Sequence, residues 1–326
     1  MVRARQVALG AVVVVALSAC GTQAPATPSS TPNGAITITA ADVEPVLLAP
    51  STPVPGGTAL DRNGKTVTVK DVSRIVSAAS GVAEIIAALG MTSSLVGRDI
   101  ASQSAAVAAV PVVTAAHSIS AEKVLATKPT LFIIDKGSTP TAAIDQIENA
   151  GIQTIVMPQA WTLQDVQPRM QALAEALGAQ QQLQELIAKE DTANPPQVHG
   201  KPRVAFLYVR GTAAIYLLGG KGSGADSLLD AIGAVDVGKD AGMTSYTALT
   251  PEKLIPLKPD VLLVMSKGLE SVGGIDGLLK LPGVAQTPAA KNRRVISVDD
   301  GLLLAFGADT YALERLLAKK LDEVVA

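Results

Sequence analysis

The 326-residue sequence predicts an α/β protein of two similar Rossmann-like lobes, joined by a rigid helical connector and enclosing a cleft. Three observations predict it. Runs such as "TLFIID" and "DVLLVM" are apolar at successive positions, the mark of strands covered on both faces in a parallel sheet. Each such run follows a segment of helical pattern. The helix–strand pair also occurs twice: "ISAEKVLATKPTLFII" (Ile119–Ile134) matches "LTPEKLIPLKPDVLLV" (Leu249–Val264) at a constant offset of 130.

In order along the chain, Arg3 and Arg5 precede the apolar run "VALGAVVVVALSAC". A basic start and about a dozen apolar residues read as an export signal, too short for a membrane-spanning helix. Residues 1–19 are assigned to it. "LSAC" before Gly21 resembles a bacterial lipobox, which implies cleavage before Cys20 and lipidation of its thiol. Residues 20–60 are rich in Pro, Ser, Thr and Ala with little charge, a composition suited to a flexible tether.

The N-terminal lobe is expected over 61–160. Asn63-Gly64 marks a hairpin, and "KTVTVK" alternates as a half-exposed strand does. "RIVSA" reads as a buried strand, and "GVAEIIAALG" as a helix stopped by Gly90. "SSLVGRD" is a strand, "SAEKVLATKP" a helix capped by Ser120, and "TLFIID" a strand. "TPTAAIDQIENAG" is a helix and "IQTIVMP" a strand. Residues 161–200 form the connector, with an apolar stripe through Leu163, Val166, Met170, Leu173, Leu177, Leu183 and Leu186. Pro168 and Gly178 predict a kink or break there.

The C-terminal lobe, 201–326, restarts the pattern. "RVAFLYVRG", "DVLLVM" and "RRVISVDD" are strands. "GADSLLDAIG", "TPEKLIPLKP" and "DTYALERLLAKKLDEVV" are helices. "GVAEIIAALG" aligns with "GADSLLDAIG" at an offset of 143 and "RIVSA" with "RVAFL" at 129. The changing offset places an insertion, "GTAAIYLLGGKG", between strand and helix of the second lobe.

Composition narrows the function. With 27 Lys+Arg against 29 Asp+Glu, nothing points to nucleic acid. One cysteine excludes an intrachain disulfide, and two histidines without a metal-site spacing argue against a metalloenzyme. "GGKGSG" lacks the Lys-Ser/Thr arrangement of a nucleotide loop. Ligands of open α/β sheets bind beyond the carboxyl ends of the strands, so the loops after those strands should line the cleft.

The segments "RIVSAASGVAEIIAALG", "LVGRD", "HSISAEKVLATKPT", "FLYVRGT" and "RRVISVDDGLLLAFG" carry a resemblance. From Arg74 onward the chain resembles the substrate-binding lipoproteins of bacterial ABC importers with a rigid interlobe helix. These serve siderophores, cobalamin and haem, and the chain is most similar to the HmuT-like haem-uptake members. The resemblance implies a monomeric, non-enzymatic binding protein on the outer face of the cytoplasmic membrane. Its partners would be an ABC permease with its ATPase, and haem donor proteins. Ferric siderophore or cobalamin is the alternative cargo.

Haem iron takes imidazole or phenolate as axial ligand. His117 precedes the Ser120 helix. A lone histidine is more often a surface or core residue, but the resemblance implies an axial ligand here. In "YVRG", Tyr208 and Arg210 share a strand face at the strand's exit, and a guanidinium there favours a phenolate ligand. The resemblance implies Tyr208 as second ligand, supported by Arg210. Tyr246 is the rival: at the offset of 130 it corresponds to Ala116, beside His117. The expectation is Tyr208 on the iron with Tyr246 lining the pocket. Arg98 is a candidate for a haem propionate, and Met243 for packing on the macrocycle. Glu84 and Asp226 are the candidate acidic residues, one per lobe, for docking on the permease.

Overall fold

The computed structural model describes residues 35–115, 118–190 and 196–326. The strands are β1 (Ala35–Ile38), β2 (Thr58–Leu60), β3 (Thr66–Thr68), β4 (Ile75–Ser77), β5 (Leu95–Gly97), β6 (Thr114–Ala115), β7 (Ser118–Ile119), β8 (Leu131–Asp135), β9 (Gln153–Met157), β10 (Arg203–Arg210), β11 (Ile215–Gly219), β12 (Val235–Asp236), β13 (Tyr246–Ala248), β14 (Val261–Met265) and β15 (Val295–Val298). One sheet runs β3-β2-β9-β8-β4-β5 and the other β1-β15-β14-β10-β11-β13, with β12 beside β10. In each sheet the buried strands pair in parallel, β9-β8-β4-β5 and β1-β15-β14-β10. Antiparallel strands flank them: β2 and β3 in the first sheet, β11 and β13 in the second. These are the two lobes the repeat predicts. The insertion of the second lobe supplies β11.

Local chemistry explains the elements. The Asp61 carboxylate accepts from the backbone N–H of Asn63 and Lys65, both at 2.9 Å, and closes the β2–β3 hairpin. Helix α1 (Val82–Ala88) follows β4 and is buried along its whole length. Helix α2 (Ala121–Ala126) is capped by the Ser120 hydroxyl, which accepts from the Lys123 N–H at 3.3 Å. Helix α3 (Thr141–Asn149) connects β8 to β9. The connector is α4 (Val166–Leu177) and α5 (Gln180–Lys189), broken at Gly178, whose φ of +63° ends α4. Pro168 sits in the first turn of α4, where its missing N–H costs nothing. Helix α6 (Ala225–Ala231) is the second-lobe counterpart of α1. "TPEKLIPLKP" is less helical than expected: one α-turn, Pro251–Leu254, passes into a 3₁₀ turn, Ile255–Leu257.

The tether expectation for 20–60 is corrected over its described part. Ala35–Ile38 forms an edge strand of the C-terminal sheet, in parallel register with Val295–Val298. The following segment then runs along the N-terminal lobe, where the Leu48 N–H donates to Ala88 O and the Ser51 N–H to Gly90 O, both at 2.9 Å. The folded body therefore begins by Ala35, and its first strand belongs to the second lobe. One apolar core joins the lobes through the connector, including Ile75 and Ile85, Leu173 and Leu177, then Phe206, Leu228 and Leu313.

Backbone also meets backbone between lobes. A Cβ on Gly301 would lie 1.9 Å from the Ala101 carbonyl oxygen, and one on Gly81 2.5 Å from that of Ala305. Glycine permits both approaches. No helix among the described residues is long and apolar enough to cross a membrane.

Candidate functional site

A cleft of about 700 Å³ lies between the lobes, within the usual range for small-molecule sites, roughly 300–1,000 Å³. Its walls come from the carboxyl ends of the parallel strands in both sheets. Ala78, Asp99 and Trp161 follow β4, β5 and β9; Asp135 ends β8, Tyr208 and Arg210 end β10, Met265 ends β14 and Asp300 follows β15.

On the second-lobe wall, Tyr208 is half-buried and its ring carries the Arg210 guanidinium 4.7 Å above its centroid. Arg210 is held in place. One of its amino groups donates to Asp300 Oδ2 at 2.5 Å and the other to Val209 O at 2.9 Å. Asp300 also accepts from the Lys267 N–H at 2.9 Å. The expected pair of phenol and guanidinium at the exit of β10 is therefore present on one cleft wall.

On the first-lobe wall, Asp135 receives a hydrogen bond from Arg169 of α4 at 2.6 Å and one from the Ser80 N–H at 3.1 Å. Burial raises the Asp135 carboxyl from its ordinary value, and the charge of Arg169 opposes that shift. Asp99 accepts from Ala101 N–H at 2.9 Å and Ser102 Oγ at 2.5 Å. Burial raises its pKa too, against those hydrogen bonds.

Other sequence candidates fall elsewhere. Tyr246 packs edge-on to Tyr208, with ring centroids 5.5 Å apart, behind the cleft wall. Its hydroxyl donates to Ser223 O at 2.6 Å, and burial, with the neighbouring Tyr208 and Asp226, pushes its pKa up to about 12. A phenol so engaged is poorly placed to ligate. Met243 does not reach the cleft; its sulfur accepts from Thr247 Oγ1 at 3.5 Å and it packs on the second-lobe core. Arg98 does not line the cleft either. Its Nε donates to Val107 O at 3.0 Å and its Nη1 to Ser102 O at 2.5 Å, bracing the loop after β5.

Glu84 and Asp226 are each 5 % exposed, so neither is the solvent-facing carboxylate that docking expects. Asp226 accepts from the N–H groups of Gly222 and Gly224 at 2.9 and 3.0 Å and orders the loop before α6. Burial, with Asp99 and Asp309 nearby, raises Glu84 to about 8. His117 and Cys20 lie outside the described residues. Next to His117 in sequence, β6 and β7 pair antiparallel, and Thr114 of β6 lines the cleft.

Asp135, Trp161, Met265, Lys267 and Asp300 also line the cleft and are not among the candidates from the sequence. All lie at or just beyond the carboxyl end of a strand legible in the sequence, so the end-of-strand rule finds them.

The model of the periplasmic binding protein family matches residues 75–302. The chain belongs to that family. It is 25% identical over 260 residues to the uncharacterized ABC transporter substrate-binding lipoprotein YvrC of Bacillus subtilis, covering 76% of this chain and 79% of that one. Its structure is similar to that of the heme binding protein HmuT, with a TM-score of 0.75 and 32% identity over 87% of this chain and 96% of that one. It is also similar to the periplasmic heme-binding protein RhuT from Roseiflexus sp., with a TM-score of 0.68 and 35% identity over 78% of this chain and 100% of that one. Alanine variants of HmuT at a histidine, at a tyrosine and at an arginine two residues beyond that tyrosine match with TM-scores of 0.75, 0.76 and 0.76. A member of this family binds its ligand and does not transform it.

Proposed function

We propose that this chain is the lipid-anchored receptor of an ABC importer that captures haem in its interlobe cleft and delivers it to the permease and ATPase. The observation that carries the reading is the Tyr208–Arg210–Asp300 arrangement on the cleft wall. Tyr208 supplies a phenolate oxygen to ferric iron. The Arg210 cation stabilises the negative charge of the coordinated oxygen, and Asp300 fixes that cation against the ring. His117 is the second axial ligand, from the first lobe. The Tyr-x-Arg spacing replaced in the HmuT variants recurs here in Tyr208 and Arg210, and a histidine replaced there supports the choice of His117, a first-lobe histidine of this chain.

Haem is a dicarboxylate on an apolar plate. The cleft offers Met265, Leu304 and Ala305 as apolar wall, with Lys136 and Lys267 at its polar margin. Neither lysine pairs with a carboxylate among the described residues, whereas Arg169 and Arg210 do. Two available cations suit two propionates. An anionic ferric siderophore needs more. Lipidation of Cys20 would hold the receptor at the outer face of the membrane, and one ligand per lobe would tie lobe spacing to capture.

Calorimetric titration with ferric haem, a ferric hydroxamate siderophore and cyanocobalamin tests the reading. Saturable binding of haem alone is expected. Preferential binding of either other ligand would replace haem as the cargo.

A further inference from the structure

Trp161 is the only tryptophan of the chain, which has three Phe and four Tyr besides. It is 61 % exposed, the most exposed large apolar side chain among the described residues. Such exposure leaves a large apolar area in water. The residue stands just beyond the end of β9 and lines the cleft on the wall opposite Tyr208.

Its backbone is held firmly. Asp165 Oδ2 accepts from the Trp161 N–H at 3.0 Å, the Thr162 N–H at 2.9 Å and the Thr162 hydroxyl at 2.7 Å. The Leu163 N–H then donates across to Ser227 Oγ of α6 at 2.9 Å. Both lobes thus anchor the turn. The indole itself makes no hydrogen bond, ring contact or cation contact among the described residues. A fixed backbone with an unpartnered aromatic ring in a ligand cleft is pre-organised for stacking, because little freedom remains to be lost on binding. Ile100, another exposed apolar side chain, lines the same lobe-one wall.

We propose that Trp161 is a specificity-determining residue that stacks on a flat conjugated macrocycle, and that it selects planar tetrapyrroles through the ring rather than through the iron. This rests on the haem reading above and deepens it. A siderophore's octahedral chelate offers no flat conjugated face to an indole, and a corrin's reduced, puckered ring carries amide side chains that project to both sides.

The test uses the protein beginning at Gly21, which keeps every described residue, with ferric haem and metal-free protoporphyrin IX as probes. The second has the same ring and carboxylates but no iron to ligate. Trp161→Ala is expected to weaken both probes by about five- to tenfold, and Trp161→Phe by no more than about twofold. Equal affinity of Trp161→Ala and the unsubstituted protein for both probes overturns the inference. So does a Trp161→Ala loss confined to haem, since the effect would then act through iron, or a Trp161→Phe loss as large as that of alanine. No haem binding by the unsubstituted protein removes the haem reading itself, a distinguishable result.

Discussion

Glu84 allows a sharp prediction about stability and pH. It lies in the buried helix α1, and its carboxyl is raised from 4.5 to about 8 by burial, reinforced by the charges of Asp99 and Asp309. One of its oxygens, Oε2, has no hydrogen-bond partner among the described residues. A carboxyl whose folded value is raised stays protonated in the native protein at a pH where the unfolded chain has released the proton. Stability from this group is therefore full below about pH 4.5 and is lost as pH rises towards 8. Glu84→Gln keeps the shape and removes the titration. From the two pKa values, its gain over the unsubstituted protein is about 1 kcal/mol at pH 5, about 3 kcal/mol at pH 7 and at most about 5 kcal/mol at pH 9. Urea unfolding of both proteins across that range is the assay. A stability difference that stays flat with pH, or that shrinks as pH rises, would show that Glu84 is not held protonated by the fold.

Three further outcomes are expected. Arg169→Met takes from the half-buried, cleft-lining Asp135 carboxylate its partner at 2.6 Å and should cost about 2 kcal/mol in urea unfolding; a loss below about 0.5 kcal/mol would show the pair to be idle. Tyr246→Phe removes the hydroxyl bonded to Ser223 O and should lower stability by about 1 kcal/mol while leaving the haem spectrum unchanged. Gly301→Ala would put a Cβ 1.9 Å from the Ala101 oxygen, forcing the lobes apart at a cost of about 1–3 kcal/mol; the melting temperature should fall and haem affinity with it, and unaltered values would show that this approach does not hold the cleft.

Local signals carried much of the fold. The parallel strands were legible because burial on both faces leaves unbroken apolar runs, and the break at Gly178 because α4 needs a left-handed stop there. Tyr208 and Arg210 were legible from strand alternation. The first strand was not: Ala35 pairs with Val295, and nothing in "AITI" shows a partner at the opposite end of the chain. Arg98 was misread because a guanidinium serves backbone carbonyls as readily as a ligand, and its acceptors lie in an irregular loop. Glu84 carried an unused signal. A helix as apolar all round as "VAEIIAA" is a buried one, which places its lone carboxylate inside and not at a docking surface. Tyr246 shows the limit of the repeat: the inserted β11 pairs with β13 and draws its tyrosine behind the wall that Tyr208 occupies.

The absorption spectrum of ferric haem, titrated into the unsubstituted, Tyr208→Phe and Tyr246→Phe proteins, decides whether Tyr208 ligates the iron. Ligation by Tyr208 predicts a saturable Soret shift for the unsubstituted protein, the same shift for Tyr246→Phe, and for Tyr208→Phe an altered spectrum with affinity weakened by at least about tenfold, a loss of about 1.4 kcal/mol. No Soret change at micromolar haem, or a Tyr208→Phe spectrum identical to that of the unsubstituted protein, would contradict it.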